Sequence, residues 1–171
     1  MANIDPQAMV EAAREHATTL VARGATCAEV LTHLATTAEA ISGPGTVVSI
    51  LVLDEDGLLR NGASPNLPDD YLERIDRLRP DALVGTCASA AATGEAVFTP
   101  DFLQDEKWAE LRHLPLALGF VGAWSHPIKQ EGKVLGTFGT YYRDHREPTP
   151  REREAVRVLA AAAAMAIREC R

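Results

Sequence analysis

Residues 119–142, GFVGAWSHPIKQEGKVLGTFGTYY, decide the fold of this chain. The stretch contains two apolar runs rich in β-branched and aromatic residues, separated by Glu131-Gly132. Glycine takes the positive φ that a two-residue turn requires, so the pattern predicts a β-hairpin with its turn at Gly132. Gly136 and Gly139 leave gaps in the side-chain layer of the second strand, where a helix or a ligand can approach the backbone closely. We therefore expect the other segments to be arranged around this hairpin.

Helix-capping signatures lie on both sides of the hairpin. They are Asp5 followed by Pro6, Thr26 followed by Glu29, and Thr149 followed by Pro150 and Glu152. From them we predict a single domain over residues 1–171. It has an N-terminal helix in residues 1–24, a core in residues 26–144 and a C-terminal signalling helix in residues 149–171.

Between the terminal helices, apolar runs alternate with turns. Residues 46–53 form a near-continuous apolar run, which predicts a central strand covered on both faces, and residues 58–63 return as its hairpin partner. The coarse order of elements is α-α-β-β-α-α-β-α-β-β-α. Because hairpins make the sheet antiparallel, the predicted fold class is α+β.

Composition limits the classes of partner. The chain carries a net charge of −7, whereas nucleic acids and anionic membranes attract basic surfaces, so we expect neither as a partner. The N-terminus lacks the basic and apolar regions of a signal peptide, and the longest apolar run is far shorter than the roughly 20 residues of a membrane span. Three widely spaced cysteines, Cys27, Cys87 and Cys170, indicate reduced thiols and a cytoplasmic location.

Motifs for metal and hydrolytic chemistry are missing from the sequence. The five histidines show no metal-ligand spacing, and no cysteines lie at C-x-x-C distance. The glycine-rich segments match neither a phosphate-binding loop nor a dinucleotide fingerprint, and Ser125 lacks the G-x-S-x-G frame of a hydrolase. We therefore expect no metal and no resident cofactor; a haem held by His113 or His126 is left as an alternative.

The segments taken together resemble a GAF domain, the small-molecule-sensing module of bacterial signalling proteins. The resemblance covers roughly residues 27–167. It is carried, in order, by SILVLD (49–54), GTCASAA (85–91), DF (101–102), GFVGAWSHPI (119–128), VLGTF (134–138) and EPTP (147–150). It implies a sheet in the order 2-1-5-4-3, with the first, second and last helices on one face. Short helices and loops would cover a ligand pocket on the other face.

The resemblance also implies a non-enzymatic regulatory domain. Its ligand would be an unidentified small molecule, and its terminal helices would pass the ligand state to an output module. Similar sequences precede histidine kinases of two-component systems, diguanylate cyclases and phosphodiesterases. The residues predicted to line the pocket are Tyr71, Thr86, Cys87, Asp101, Phe102, Trp108, Phe120, Trp124, Ser125 and Phe138. The same aromatic residues would also fill a core that binds nothing.

Apolar residues of the terminal helices remain after one stripe of each helix has been assigned to the sheet. They are Met9, His16, Leu20, Val158 and Met165. Small alanine faces permit close helix approach, so we predict that these residues form a homodimer interface.

Two alternatives stay open. Cys87 follows Gly85-Thr86 before a short helix, and a thiol near a helix N-terminus has a lowered pKa. The stretch also resembles part of the free-methionine-sulfoxide reductases, which are GAF-fold enzymes, and this implies a thiol redox enzyme or sensor. Those enzymes need further cysteines in the region that here is residues 114–124, and the chain has none there. The second alternative is a dimerisation module without a ligand.

Overall fold

The computed structural model describes residues 5–170, within which the predicted order of elements is confirmed. The elements are α1 (Pro6–Ala22), α2 (Cys27–Ser42), β1 (Val47–Leu53), β2 (Leu59–Ala63), α3 (Asp69–Ile75), α4 (Cys87–Thr93), β3 (Val97–Thr99), a 3-10 turn (Glu106–Trp108), α5 (His113–Ala117), β4 (Gly122–Gln130), β5 (Lys133–Tyr142) and α6 (Pro150–Glu169). The predicted divisions at residues 24–26 and 144–149 fall in the connections before α2 and α6. Parts of the predicted terminal helices, residues 1–4 and 171, lie outside the described residues.

The five strands form one antiparallel sheet in the order β2-β1-β5-β4-β3, as predicted. β4 and β5 are the hairpin of residues 119–142, and its turn residues Glu131 and Gly132 have φ values of 51° and 79°. Two successive positive φ values are the geometry of a turn that matches the twist of the strands. β3 pairs only with residues 123–125 of β4, so Pro127, which lacks a backbone N–H, lies beyond the end of β3.

Three helices form a layer on one face of the sheet, which we call the helical face. α1, α2 and α6 pack against one another, and α2 and α6 contact the strands. The sheet side chains buried beneath them are Val48, Ile50, Trp124, Ile128, Phe138 and Tyr142. α6 is rich in alanine, and small side chains allow it to lie close to β4 and β5. The predicted placement of these three helices on a single face is therefore confirmed.

Side-chain caps fix where the helices of this layer begin. Asp5 accepts a hydrogen bond from the backbone N–H of Gln7, and Thr26 accepts one from Glu29. At the start of α6, Thr149 and Glu152 form a complete capping box. Each cap satisfies backbone donors that have no partner within the helix, and this explains why these positions were readable from the sequence.

Glu152 also ties the start of α6 to two other elements. Its carboxylate is buried, and Oε2 accepts hydrogen bonds from the hydroxyl of Tyr142 at 2.8 Å and from Oγ of Ser42 at 3.2 Å. Because Tyr142 ends β5 and Ser42 ends α2, this carboxylate holds the first turn of α6 against both.

The residues predicted to form a dimer interface are mostly occupied by contacts within the chain. They are Met9, His16, Leu20, Val158 and Met165. The last three pack, partly buried, against the core of the helical layer, and Met9 is half-buried. His16 is exposed, and its ring lies 4.4 Å from that of His33 on α2. The stripe that α1 buries is Val10, Ala13 and Ala17. The dimer interface stays a prediction.

Candidate functional site

The other face of the sheet, which we call the second face, has a depression at its centre. The strand register aligns Ser49, Gly139 and Ser125 in one row across β1, β5 and β4, and Thr137 lies in the next row. These four residues, which we call the floor, have small side chains, and Ser49, Ser125 and Thr137 are fully buried. The larger residues of the neighbouring rows therefore surround a low area in the sheet surface.

Helix α4 covers the floor with the thiol of Cys87. A Cβ atom at Gly139 would lie 2.9 Å from Cys87 Sγ, so only glycine leaves room for the thiol. The close approach predicted for the second hairpin strand is confirmed at this position. At Gly136 the crowding comes instead from the backbone of β1, at Leu51. The small residues of α4, which is CASAAAT, allow the helix to lie this close to the sheet.

Two hydroxyl groups on the floor lack hydrogen-bond partners of standard geometry. They are Ser125 Oγ and Thr137 Oγ1, and both are sealed from solvent beneath Cys87. Most buried polar side chains in proteins are paired, and an unpaired one costs about 1–3 kcal/mol. The floor is therefore a place where two polar groups gain from a new partner.

The structure argues against the alternative in which the Cys87 thiol has a lowered pKa. Burial raises its pKa, and interaction with the hydroxyls of Ser125 and Thr137 offsets only part of that effect. Desolvation disfavours the thiolate, and α4 is only seven residues long, so its N-terminus offers little compensation. The thiol is therefore protonated at neutral pH.

A pair of tyrosines stands beside the floor. The hydroxyl groups of Tyr71 and Tyr141 share a hydrogen bond of 2.8 Å, and their rings meet edge to face. Burial raises the pKa of both tyrosines, so both stay neutral. Tyr141 was not among the predicted site residues. It lies two positions after Gly139, and this period of two places it on the same face.

We expect Tyr71→Phe to lower the free energy of unfolding by about 1 kcal/mol, because the Tyr141 hydroxyl would lose its partner while still buried. Urea denaturation of the two proteins measures the change. An unchanged midpoint would show that the Tyr141 hydroxyl finds another partner.

A chain of hydrogen bonds links Trp108 to Asp105 next to α4. Trp108 Nε1 donates to Thr86 Oγ1 at 2.8 Å, Thr86 and Thr99 hydroxyls are 3.0 Å apart, and Thr99 donates to Asp105 at 2.7 Å. Burial raises the pKa of Asp105, but hydrogen bonds from Lys107 and Thr99 outweigh it and hold the pKa below its usual value. The carboxylate is therefore ionised and already satisfied.

Seven of the ten predicted site residues lie on the second face: Tyr71, Thr86, Cys87, Phe102, Trp108, Phe120 and Ser125. Asp101 is half-buried, and its carboxylate accepts from the backbone N–H of Leu103, which closes a local turn. Trp124 and Phe138 point the other way and are buried under the helical layer. The prediction that these two residues wall the same chamber as the others is wrong, because they alternate with Ser125 and Gly139 along their strands.

The second face is closed in this structure. Phe102 and Trp108 pack at 4.5 Å between ring centroids, Phe120 and Tyr141 at 5.3 Å, and all four side chains are buried. Solvent grooves lie elsewhere, and two of them border α6. One, of about 570 Å³, separates the starts of α1 and α6, and the other, of about 470 Å³, separates β3 and β4 from α6. A ligand on the floor would therefore require α4 or its neighbours to move.

A family model described as a GAF domain matches residues 24–168, nearly the whole chain. The chain belongs to the GAF domain family. The predicted sheet order and the placement of the helices are those of a GAF fold. No group of three or more His, Cys, Asp or Glu side chains within residues 5–170 is arranged to hold a metal ion. None of the helices described there is long and apolar enough to cross a membrane.

One relative is similar to this GAF domain in sequence, and two solved structures are similar to it in fold. It is 34% identical over 149 residues to the methyl sulfide methyltransferase-associated sensor of Methanosarcina acetivorans, covering 86% of this chain but only 15% of that protein. A domain assigned to a two-component sensor histidine kinase of Sinorhizobium meliloti 1021 has a TM-score of 0.68 at 22% identity, over 82% of this chain and 89% of that one. Reduced fRMsr of Staphylococcus aureus has a TM-score of 0.69 at 11% identity, over 92% and 94%. Both structures show a likeness of fold.

Proposed function

We propose that this GAF domain is a small-molecule-sensing regulatory domain whose ligand is uncharged and binds on the floor beneath α4. One observation carries the proposal: Ser125 Oγ and Thr137 Oγ1 are fully buried, have no hydrogen-bond partner of standard geometry within residues 5–170, and both interact with the Cys87 thiol. A ligand that displaces the Cys87 thiol would supply both hydroxyls with hydrogen bonds. The named role of the relative, a sensor, supports the same class of function.

The groups around the floor favour a neutral ligand. The polar groups there are hydroxyls and a protonated thiol, and each can donate or accept a hydrogen bond but carries no charge. The nearby Asp105 carboxylate is already bonded to Thr99 and Lys107. A charged ligand would lose its hydration without an opposite charge to replace it, and this is costly in a buried site.

Strand β5 offers a route from the floor to α6. Successive residues of a strand face opposite sides of the sheet, so Tyr141 contacts Tyr71 on the second face while Tyr142 contacts Glu152 on the helical face. A ligand that shifts β5 at the tyrosine pair would shift the start of α6 through the adjacent residue. Helix movements of this kind pass signals between domains. The output module would lie beyond α6.

The binding site is tested with two conservative replacements and one control. A thermal-shift screen of neutral and charged small molecules identifies the ligand, because binding to the folded state raises the melting temperature. Ser125→Ala and Thr137→Val are then expected to lose most of that rise. Thr140→Val is the matched control, because its hydroxyl is also buried and unpaired on β5 but faces the helical layer. All three variants should fold, since removing an unpaired buried hydroxyl costs little stability.

Loss of the shift in Thr140→Val as well, or its survival in both floor variants, would contradict the proposed site. A screen in which nothing raises the melting temperature would favour the dimerisation module without a ligand.

We also propose a homodimer through α1 and α6, involving Met9, His16, Leu20, Val158 and Met165. Val158 lines the groove of about 570 Å³ between the starts of the two helices, and a second copy of the chain could pack into this groove. Light scattering at tens of micromolar should give twice the monomer mass. The Val158→Glu variant should give the monomer mass, because a charge would be buried at the interface. A monomeric wild-type protein would refute the dimer.

The redox alternative has weaker support. The half-buried Cys87 is protonated and points from α4 onto the floor, while Cys27 and Cys170 contact the helical layer on the opposite side of the sheet. No second thiol within residues 5–170 is therefore placed to resolve an oxidised Cys87. Methionine-sulfoxide turnover that is abolished by Cys87→Ser would overturn this conclusion.

A further inference from the structure

The groove of about 470 Å³ lies outside the site described above, at the edge of the helical face, and we call it the edge groove. Phe98, Trp124 and His126 form its strand side. The side contributed by α6 and the segment before it is formed by Pro148, Arg153, Glu154 and Arg157. The sheet separates this groove from the floor, so one ligand cannot contact both.

The strand side of the edge groove is an aromatic surface. Phe98 pairs with Trp124 across β3 and β4, and the Trp124 ring lies edge to face with His126 at 6.5 Å. Phe98 is half-exposed, and the His126 ring makes no hydrogen bond to any residue of the described chain. The planar ring of a ligand could therefore pack against this surface, next to the imidazole of His126, which has no hydrogen-bond partner among the described residues.

The α6 side of the edge groove carries one more positive than negative side chain, because Arg153, Arg157 and Glu154 all line it. Arg153 donates from Nε to the carbonyl of Pro148 at 3.3 Å, and it forms no ion pair within residues 5–170. Arg157 is held by Glu154 through contacts of 2.9 and 2.6 Å, so these two charges offset each other. The groove therefore keeps the unpaired charge of Arg153 in a chain whose net charge is −7. The N-terminus of α6, at Pro150, also lines it and adds a favourable field for an anion.

We propose that the edge groove binds a planar aromatic carboxylate. The ring packs on Phe98 and His126, which are half-exposed, while Trp124 lines the groove from a buried position. The carboxylate pairs with the Arg153 guanidinium, whose planar fork matches it. Such a ligand would bridge β4 and the first turns of α6. It would therefore act on the same helix as a ligand on the floor, as a second and separate input.

The test uses benzoate and indole-3-carboxylate as probes, with benzamide as the uncharged counterpart of benzoate. Calorimetry should show that the two carboxylates bind and that benzamide binds much more weakly. Arg153→Gln should weaken carboxylate binding roughly tenfold, the size expected for a hydrogen bond to a charged group. Arg151→Gln is the matched control, because Arg151 is also exposed in the first turn of α6 but lines the other groove. It should change affinity less than about twofold.

Amide chemical shifts locate the ligand independently of affinity. Carboxylate binding should shift residues 96–98, 126 and 150–157, and it should survive Ser125→Ala and Thr137→Val. No binding at millimolar concentration, equal binding of benzamide, or equal losses in Arg151→Gln and Arg153→Gln would overturn the edge-groove site. Shifts confined to the floor would assign the carboxylate to the other site and also contradict the proposal that the floor takes neutral ligands.

Discussion

Glu152→Ala is expected to lower the free energy of unfolding by about 2–4 kcal/mol, the sum of a lost cap and a stranded buried hydroxyl. The carboxylate accepts hydrogen bonds from Tyr142 and Ser42 and completes the capping box with Thr149. Alanine would leave the Tyr142 hydroxyl sealed beneath α6 without a partner and would free the first turn of that helix. Urea denaturation monitored by circular dichroism measures the loss.

Glu154→Ala is the matched control for this prediction. Glu154 lies two residues further along the same helix, is exposed and, among residues 5–170, pairs only with Arg157. Exposed ion pairs contribute little, so this variant should change stability by less than about 1 kcal/mol. Equal effects of the two replacements would mean that Glu152 acts only through helix propensity and does not anchor α6.

Gly139→Ala is expected to lower the free energy of unfolding by about 1–3 kcal/mol, the usual cost of overpacking a core. The new methyl group would lie 2.9 Å from Cys87 Sγ and 3.4 Å from the carbonyl of Ser49. The Cys87 thiol lies on a short helix and can move more easily than the Ser49 carbonyl, which is fixed in the sheet. The variant should therefore displace α4 away from the floor. Amide hydrogen exchange that increases relative to the wild type in α4 but not in α2 would report that movement.

A double-mutant cycle separates this clash from a general intolerance of alanine at Gly139. In a Cys87→Ala background the sulfur is absent, so Gly139→Ala should cost at least about 1 kcal/mol less than in the wild type. An equal cost in both backgrounds would show that Cys87 does not fill the space above Gly139. The proposed covering of the floor by α4 would then be wrong.

Local signals explain which parts of the fold could be predicted. The turn at Glu131-Gly132 and the caps at Thr26 and Thr149 depend on residues at most three positions apart. They can therefore be predicted from residue type and spacing. Resemblance to a family added the strand order, which no local pattern contains. The gap at Gly139 was also predicted, but its occupant, the Cys87 thiol, comes from a distant segment.

The candidate site was predicted less completely because both faces of the hairpin are buried. Alternation correctly places Trp124 and Phe138 on the same side as each other, but it does not say which side the helices cover. Tyr141 and Thr137 were missed for the same reason, because their side chains point to the face of β5 opposite to that of Phe138. The alternative of a lowered Cys87 pKa is disfavoured because burial outweighs the influence of a short helix.

The sequence by itself determined the elements, their caps and turns and, through family resemblance, their arrangement, because these depend on short-range spacing or on a shared pattern. Only the tertiary structure decided which face of β4 and β5 meets the helices. It also showed that Ser125 and Thr137 lie beneath one thiol without a hydrogen-bond partner of standard geometry in residues 5–170, and that Arg153 lines an aromatic groove. Those facts depend on packing between segments far apart in the chain, and burial and pairing are properties of the packed molecule rather than of any residue in it.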